Sequence, residues 1–261
     1  MISLDLHGQR LAQPPADWST TAMALTHLYL YDNQLAGLPD DFGHRPALQV
    51  LDLSNNRLAG LPPSVAQLEA LEFLYISHNR LQTLDFPFAC WSRLRYFNAT
   101  ANQLTSLPEN LGELPALEEL RLYQNRLTAL PPAIGQLGAL RELHLHENQL
   151  AGLPTTLGRL HSLRKLNLNH NRLTALPAEI SALPALETLE LRGNRLTALP
   201  AAIGELTALT DLDLRANQLA ALPETLAHLP RLKKLDLRWN GLERLPGWTA
   251  ALVEQGCVIY W

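Results

Sequence analysis

Asparagine recurs along almost the whole chain at a fixed interval of 23 residues. A fixed period of about 20 to 50 residues is the mark of a repeat protein, in which one small unit is copied and stacked. The period therefore constrains the fold more than the length of 261 residues does. The recurring residues are Asn33, Asn56, Asn79, Asn102, Asn125, Asn148, Asn171, Asn194, Asn217 and Asn240.

Each asparagine, at a position called n, lies in the same frame of apolar residues. Leucine or another apolar residue occupies n−8, n−5, n−3, n+2 and n+5, and proline follows at n+6 in nine of the ten repeats, with Asp85 as the exception. From n−6 to n−1 variable and apolar residues alternate, which predicts a short strand with one buried face. The stretch after the proline, such as 131–140, has apolar residues at n+9 and n+12 and predicts a short helical or 3-10 return.

One such coil cannot bury its leucines alone, so neighbouring coils are expected to stack into a continuous core. The strands would then lie parallel. The asparagine falls where the strand ends, and its amide can bond backbone groups of the bend that the sheet leaves unpaired. We expect the bulkier returns to leave the strand face concave.

Composition and charge limit the possible partners and compartments. The formal net charge of −4 is too small and of the wrong sign for a protein that binds phosphate backbones, so nucleic acid is not expected as a partner. The only cysteines, Cys90 and Cys257, lie in different repeats, which favours a reducing compartment. No segment is long and apolar enough to span a bilayer, and the N-terminus has no signal-peptide pattern. We therefore predict a cytoplasmic protein without membrane contact, or a secreted effector exported by a specialised route; the excess of arginine over lysine favours a bacterial source.

The pattern L-x-x-L-x-L-x-x-N-x-L-x-x-L-P, from about Leu25 to Pro246, resembles the intracellular leucine-rich repeats of Ras-suppressor and Scribble-like scaffolds, plant Ras-group proteins and bacterial effectors. This resemblance implies an α/β fold: a leucine-rich-repeat solenoid, or horseshoe, with a concave parallel β-sheet and short helical or 3-10 convex returns. It also implies that the concave face binds a protein or peptide.

The two ends depart from the repeat and predict caps, since terminal coils must close the open core. We predict a single domain over residues 1–261: an N-terminal cap at 1–24, ten repeats at 25–246 and a C-terminal cap at 247–261. In the first cap Gln9 takes the place of an asparagine, and an insertion runs through Trp18. The second cap predicts a helix and a strand whose inward side is either Val258 and Tyr260 or Ile259 and Trp261. Inside the array, residues 84–99 depart from the consensus and predict local irregularity.

The variable positions n−6, n−4 and n−2 share the exposed face of the strands, because side chains two residues apart point the same way. In the first five repeats these positions hold aromatic residues and an arginine, the types that dominate binding energy at interfaces. We predict a partner-binding patch there; alternatively, these rings only cover one another on the sheet. The patch comprises Tyr29, Tyr31, Phe73, Tyr75, Tyr96, Arg121 and Tyr123.

The last three repeats place an acidic column at n−4 beside a basic column at n−2. Two interpretations are open: a solvated ladder of ion pairs, each contributing little, or a charged strip that steers a complementary partner. The columns are Glu190, Asp213 and Asp236, and Arg192, Arg215 and Arg238.

Glu142, His144 and His146 alternate along one predicted strand and project together, a spacing that a metal site could use. They lack a clear fourth ligand, which a structural zinc site needs. We therefore interpret His144 and His146, with nearby Asn169, as polar members of the binding face and predict no metal.

Sequence motifs for the common catalytic chemistries are missing: the chain contains no G-x-S-x-G, no phosphate-binding G-K-S/T loop and no H-E-x-x-H. Cys90 and Cys257 are interpreted as packing residues. The sequence thus predicts a non-enzymatic scaffold for a protein or peptide partner, with no cofactor and no catalytic residue, and leaves the oligomeric state open. Alternatives are the recognition domain of a larger enzyme, such as an effector ubiquitin ligase or a repeat-bearing kinase, or a stand-alone bacterial effector.

Overall fold

The computed structural model describes residues 2–15 and 24–261. Contacts between residues divide the chain into two compact units, Met1–Arg126 and Leu127–Trp261, called unit 1 and unit 2 below. The boundaries of the caps and the single-domain organisation remain predictions.

Unit 1 is a parallel array in which each strand pairs with the next along the chain. Each three-residue strand has its middle side chain turned into the core and its outer two toward the exposed face. The strands are β1 (Ser3–Asp5), β2 (His27–Tyr29), β3 (Val50–Asp52), β4 (Phe73–Tyr75), β5 (Tyr96–Asn98) and β6 (Glu119–Arg121). The 3-10 returns are Pro63–Gln67, Phe88–Cys90 and Glu109–Glu113.

Unit 2 repeats the arrangement and ends in a short helix and a final strand. The strands are β7 (Glu142–His144), β8 (Lys165–Asn167), β9 (Thr188–Glu190), β10 (Asp211–Asp213), β11 (Lys234–Asp236) and β12 (Val258–Tyr260), paired in parallel in that order. The returns are the 3-10 helices Pro132–Gln136, Thr155–Arg159, Ala178–Ala182, Ala201–Glu205 and Glu224–His228, followed by α1 (Thr249–Glu254). The predicted solenoid of parallel strands and 3-10 returns is confirmed.

The irregular segment keeps the strand register but shortens the return. Phe97 and Ala99 take leucine positions and are fully buried, and Tyr96 stays in line with Phe73 and Glu119 on the neighbouring strands. The return shrinks to Phe88–Cys90, where Trp91 packs edge-on against Phe88 with ring centroids 5.6 Å apart. Large aromatic side chains thus fill the core volume that leucines fill elsewhere.

The asparagines tie neighbouring coils together as the sequence predicts. The Asn102 amide donates to the carbonyls of Ala99 on its own coil (3.1 Å) and Ile76 on the preceding coil (2.9 Å), and its carbonyl accepts the Leu81 N–H (3.0 Å). One side chain therefore satisfies three buried backbone groups that the sheet leaves unpaired. The residue before each asparagine has a positive φ, 53° at Ala101, which turns the chain out of the strand.

Both ends continue the stacking of the repeats. The Leu11 N–H donates to the Asn33 carbonyl at 3.0 Å, so the segment around Gln9 stacks as a degenerate repeat. The insertion that the sequence places through Trp18 falls partly in residues 16–23, outside the described residues. At the C-terminus Ile259 is in register with Leu235, so Ile259 faces the core while Val258 and Tyr260 are exposed.

In the described parts of the chain, no helix combines the length and apolar character needed to cross a membrane.

Candidate functional site

The exposed strand positions of unit 1 form a surface that we call strand face 1, made of the n−6, n−4 and n−2 side chains of β1 to β6 and the residues just after them. Its side chains are mostly half-buried, because each leans on the strand beside it. The central n−4 column is defined by the strand register and consists of Asp5, Tyr29, Asp52, Tyr75, Asn98 and Arg121.

Four of the predicted binding residues meet on β4, β5 and β6. The Tyr96 ring lies 4.9 Å from the Tyr75 ring and 6.5 Å from the Phe73 ring, measured between centroids. The Arg121 guanidinium lies 5.6 Å from the Tyr96 centroid, and its Nε donates to Glu119 at 2.5 Å. Burial raises the pKa of Tyr96 to about 12. Tyr123, half-buried beyond β6, interacts electrostatically with Arg121.

Tyr29 and Tyr31 form a separate aromatic group beside β1. Tyr31 stacks on His7 with centroids 4.8 Å apart and the ring planes 10° from parallel. Tyr29 tilts toward His27 at 6.4 Å. Strand β3, with Asp52, separates this group from the cluster around Tyr96. The structure thus divides the predicted patch in two.

Asp52 is a candidate functional residue that the sequence reasoning missed. Its Oδ1 accepts the Ser54 N–H at 2.9 Å, and burial raises its pKa above the ordinary 3.8. No basic side chain forms an ion pair with it within residues 2–15 and 24–261. The sequence does carry a signal for it, since an aspartate lies between two tyrosines in the n−4 column.

The exposed strand positions of unit 2, strand face 2, carry the charged columns, and much of their charge is compensated. Asp213 Oδ2 lies 2.5 Å from Arg215 Nη2, Asp236 Oδ2 lies 2.6 Å from Arg238 Nη2, and Arg215 Nε lies 3.5 Å from Asp236. Burial by itself raises the pKa of Asp236, but the hydrogen bonds from Arg238 hold it below its ordinary value. Asp213, Arg215, Asp236 and Arg238 thus have the geometry of a ladder of ion pairs.

Asp236 corrects our expectation that the n−4 column is exposed, because its side chain has 0% of its surface accessible. The guanidiniums of Arg215 and Arg238 both engage its carboxylate. A partner could contact these arginines but not the acid beneath them.

The third acid and arginine of these columns pair elsewhere. Glu190 accepts from the Asn169 amide at 2.9 Å and lies 3.9 Å from Lys165. The Arg192 guanidinium lies 5.9 Å from the ring centroid of Trp239. Trp239 is 64% exposed and has a φ of 60°, rare for a bulky residue. The sequence reasoning missed it because position n−1 does not belong to the strand columns.

A shallow cavity of about 210 Å³ opens on strand face 2. Polar and charged groups dominate its wall, which suits hydrogen bonding to a polar chain more than apolar anchoring. It is lined by Asn169, Glu190, Asp211, Asp213, Arg215 and Lys234, among others.

Of Glu142, His144 and His146, the structure brings the first two close together. His144 Nε2 lies 3.0 Å from Glu142 Oε2, and His144 is buried. Within the described residues His146 does not bring a ligand atom to this pair. Burial lowers the pKa of His146, which favours its neutral form.

The two cysteines are free, Cys90 partly exposed and Cys257 buried. Burial raises the pKa of the Cys257 thiol, which disfavours the nucleophilic thiolate.

Family models match the chain in both halves. A model described as leucine rich repeat matches residues 2–58 and 46–104, and one described as leucine-rich repeat region matches 89–168 and 154–238. No curated protein matches the chain in sequence.

Solved structures agree with this result. A leucine-rich-repeat protein of Leptospira interrogans is 32% identical, with a TM-score of 0.65, over 92% of this chain and 73% of that one. A chain from an octameric complex of latrophilin 3, Unc5D and FLRT2 (leucine-rich repeat) is 26% identical, with a TM-score of 0.80, over 99% and 82%. The plant peptide hormone receptor RGFR1 in complex with RGF2 is 26% identical, with a TM-score of 0.66, over 91% of this chain but 47% of the receptor chain.

Leucine-rich-repeat domains generally mediate protein–protein interaction, and this chain, matched from residue 2 to residue 238, belongs to the leucine-rich-repeat family.

Proposed function

We propose that the chain is a non-enzymatic scaffold that binds a protein or peptide partner on its strand faces. The observation that carries the proposal is the cluster of Phe73, Tyr75, Tyr96 and Arg121 on strand face 1. Large amphipathic rings beside an arginine are the usual anchors of protein interfaces. The half-buried state of these rings also fixes their orientation, which lowers the entropy lost on binding.

The two strand faces would contribute differently. The aromatic side chains of strand face 1 supply apolar area, whereas strand face 2 offers Arg192, Arg215 and Arg238, of which Arg215 lines a polar cavity. Charged groups at the rim of an interface mainly set association rate and specificity. We therefore assign affinity to strand face 1 and orientation to strand face 2.

Similar proteins support this use of the fold. The Unc5D–FLRT2–latrophilin assembly and the hormone-bound plant receptor are complexes with protein or peptide partners. Membership of the 23-residue intracellular class and a cytoplasmic location remain predictions, favoured by the L-x-x-L-P ending and by two cysteines that form no disulfide.

The test is affinity capture from lysate of the source organism with wild-type protein and a Tyr75→Ala, Tyr96→Ala, Tyr123→Ala variant. We expect the triple variant to lose the captured partner while its circular dichroism and thermal unfolding stay close to wild type. A matched control replaces Gln67 and Glu113, exposed on 3-10 returns, with alanine and should keep the partner. Equal capture by the tyrosine variant would contradict the proposal.

A further inference from the structure

Four aspartates occupy the n−4 position, and all do the same structural task. Asp5, Asp52, Asp213 and Asp236 each accept the backbone N–H two residues later, at 2.9 to 3.4 Å. Asn98 and Asn167 perform this task at the same position, each at 3.0 Å. Since a neutral amide serves equally well, the negative charge of an aspartate is not needed for the backbone.

Three of these four charges have a basic partner two residues along the chain. Asp5 lies 2.8 Å from His7, Asp213 lies 2.5 Å from Arg215 and Asp236 lies 2.6 Å from Arg238. At Asp52 the equivalent residue is Ser54. Within the described residues Asp52 is thus the n−4 aspartate without an ion-pair partner.

The surroundings of Asp52 resemble those of Asp236 on the side of the following strand, whereas on the side of the preceding strand Asp236 has Asp213 and Arg215 and Asp52 has Tyr29. Asp236 stands beside Tyr260 on the next strand, and the Arg238 guanidinium lies 5.0 Å from that ring while its Nε and Nη2 bond the Asp236 carboxylate at 2.9 and 2.6 Å. Asp52 stands in the same register beside Tyr75. The sequences agree too, Leu-Asp-Leu-Ser at 51–54 against Leu-Asp-Leu-Arg at 235–238.

A second site in which an arginine lies between a carboxylate and a tyrosine ring occurs on strand face 1. Arg121 lies over the ring of Tyr96 and bonds Glu119. Both Glu119 and Asp236 thus combine a carboxylate with a tyrosine ring and an arginine. A guanidinium suits both neighbours, because it bonds carboxylates through a planar fork and stacks on aromatic rings.

We propose that Asp52, between Tyr29 and Tyr75, binds the guanidinium of an arginine on a protein partner, in the position that Arg238 fills at Asp236. Two tyrosines flank the acid, one strand away on each side. Their backbones are about 9.6 Å apart, twice the ordinary strand spacing, which leaves width for a flat cation over Asp52. Ser54 bonds the carboxylate through its backbone N–H and its hydroxyl and brings no positive charge to it. This inference rests on the proposed function of strand face 1 as a binding surface.

The direct test is an NMR titration. The full chain, with its tyrosines isotope-labelled, is titrated with N-acetyl-argininamide, and the tyrosine ring signals are recorded. The ring signals of Tyr29 and Tyr75 should shift with saturation, whereas the neutral isostere N-acetyl-citrullinamide should leave them in place. Equal shifts from the citrulline compound, or binding of N-acetyl-lysinamide as tight as that of the arginine compound, would overturn the assignment.

Two variants locate the site. Asp52→Asn keeps the acceptor for the Ser54 N–H, as Asn98 shows, and should weaken binding at least about tenfold. Ser54→Arg should supply the guanidinium from within the chain and block the titration. A control, Glu113→Gln on a 3-10 return, should bind as wild type. Wild-type binding by both Asp52→Asn and Ser54→Arg would refute the proposal.

Failure of the arginine site and failure of the proposed scaffold function would give different results. If the tyrosine variant loses its lysate partner but Asp52→Asn keeps it with wild-type affinity, the scaffold function holds and the arginine site is wrong. If argininamide binds in an Asp52-dependent way but the lysate partner ignores the tyrosine substitutions, the cation site holds and the scaffold assignment fails.

Discussion

Strand β3 in unit 1 and strand β11 in unit 2 each carry an aspartate at position n−4, Asp52 and Asp236. Asp236 forms an ion pair with Arg238, whereas Asp52 has no ion-pair partner among the described residues. Asp236 is inaccessible beneath Arg238, whereas Asp52 has Ser54 in that place and stays partly exposed. The pKa shifts run in opposite directions: burial raises the pKa of Asp52, and Arg238 holds that of Asp236 below its ordinary value. The arginine at n−2, together with Arg215 from the preceding coil, therefore separates an aspartate that stabilises the fold from one that costs stability.

The largest effect is expected from Asp236→Asn. The change removes the charge that two guanidinium hydrogen bonds from Arg238 engage, so the free energy of unfolding should fall by roughly 2 kcal/mol. Urea unfolding followed by circular dichroism measures it. Glu243→Gln, at an exposed position, is the control. An unchanged midpoint for Asp236→Asn would show that the ion pair is as weak as an ordinary surface pair.

Ser54→Arg should convert the open site into a copy of the closed one. The new guanidinium would pair with Asp52 and raise the free energy of unfolding by roughly 0.5 to 1 kcal/mol. The loss of the 3.0 Å hydrogen bond from Ser77 to the Ser54 hydroxyl limits the gain. The same urea experiment applies, and a destabilised Ser54→Arg protein would mean that the two strands are not equivalent.

Asp52→Asn should raise the free energy of unfolding slightly, by less than about 0.5 kcal/mol, since solvent screens a partly exposed charge. The direction matters more than the size, because the matching change at Asp236 acts with the opposite sign. A measurable loss of stability in Asp52→Asn would indicate an internal partner for the carboxylate.

The pH dependence of these variants should also diverge. The groups facing Asp52 are Tyr29 on β2 and Tyr75 on β4, neither of which carries positive charge. Because its folded pKa is raised, ionised Asp52 costs stability above that pKa, and the cost disappears as pH falls below the ordinary 3.8. Wild type and Asp52→Asn should therefore converge in acid, as thermal unfolding between pH 7 and pH 3 would show. A gap that widens in acid would contradict this sign.

Asp236 should behave in the opposite way. Arg215, Arg238 and Tyr260 face it, and its folded pKa is lowered. Its contribution is fully present above the ordinary 3.8 and is lost as pH falls through the lower folded value. The advantage of wild type over Asp236→Asn should thus persist at pH 5 and shrink near pH 3; a constant difference would exclude the ion pair as its source.

The sequence predicted most of the fold because the repeat leaves few alternatives. The asparagine spacing and the apolar alternation set the strands, the bends and the column of every exposed residue. The sequence did not predict which side of the last strand faces the core, because Val258–Tyr260 has apolar residues on both faces. The structure shows that Ile259 pairs with Leu235 and faces the core.

Which side chains of the charged columns pair with one another was harder to predict from the sequence. Glu190 bonds Asn169 from the preceding coil instead of Arg192. Long side chains reach several neighbours in three dimensions, and spacing along one strand does not select among them. The pairing of Asp52 could not be predicted from the sequence for a related reason. Whether a charged side chain lacks an ion-pair partner is known only when the positions of all nearby basic side chains are known.

Carboxyl-carbon NMR titration of Asp52 and Asp236 in the wild-type protein tests this contrast most directly. We predict that Asp52 titrates above 3.8 and Asp236 below it. An Asp52 value at or below that of Asp236 would show that a cation within the chain already occupies the site and would contradict the account.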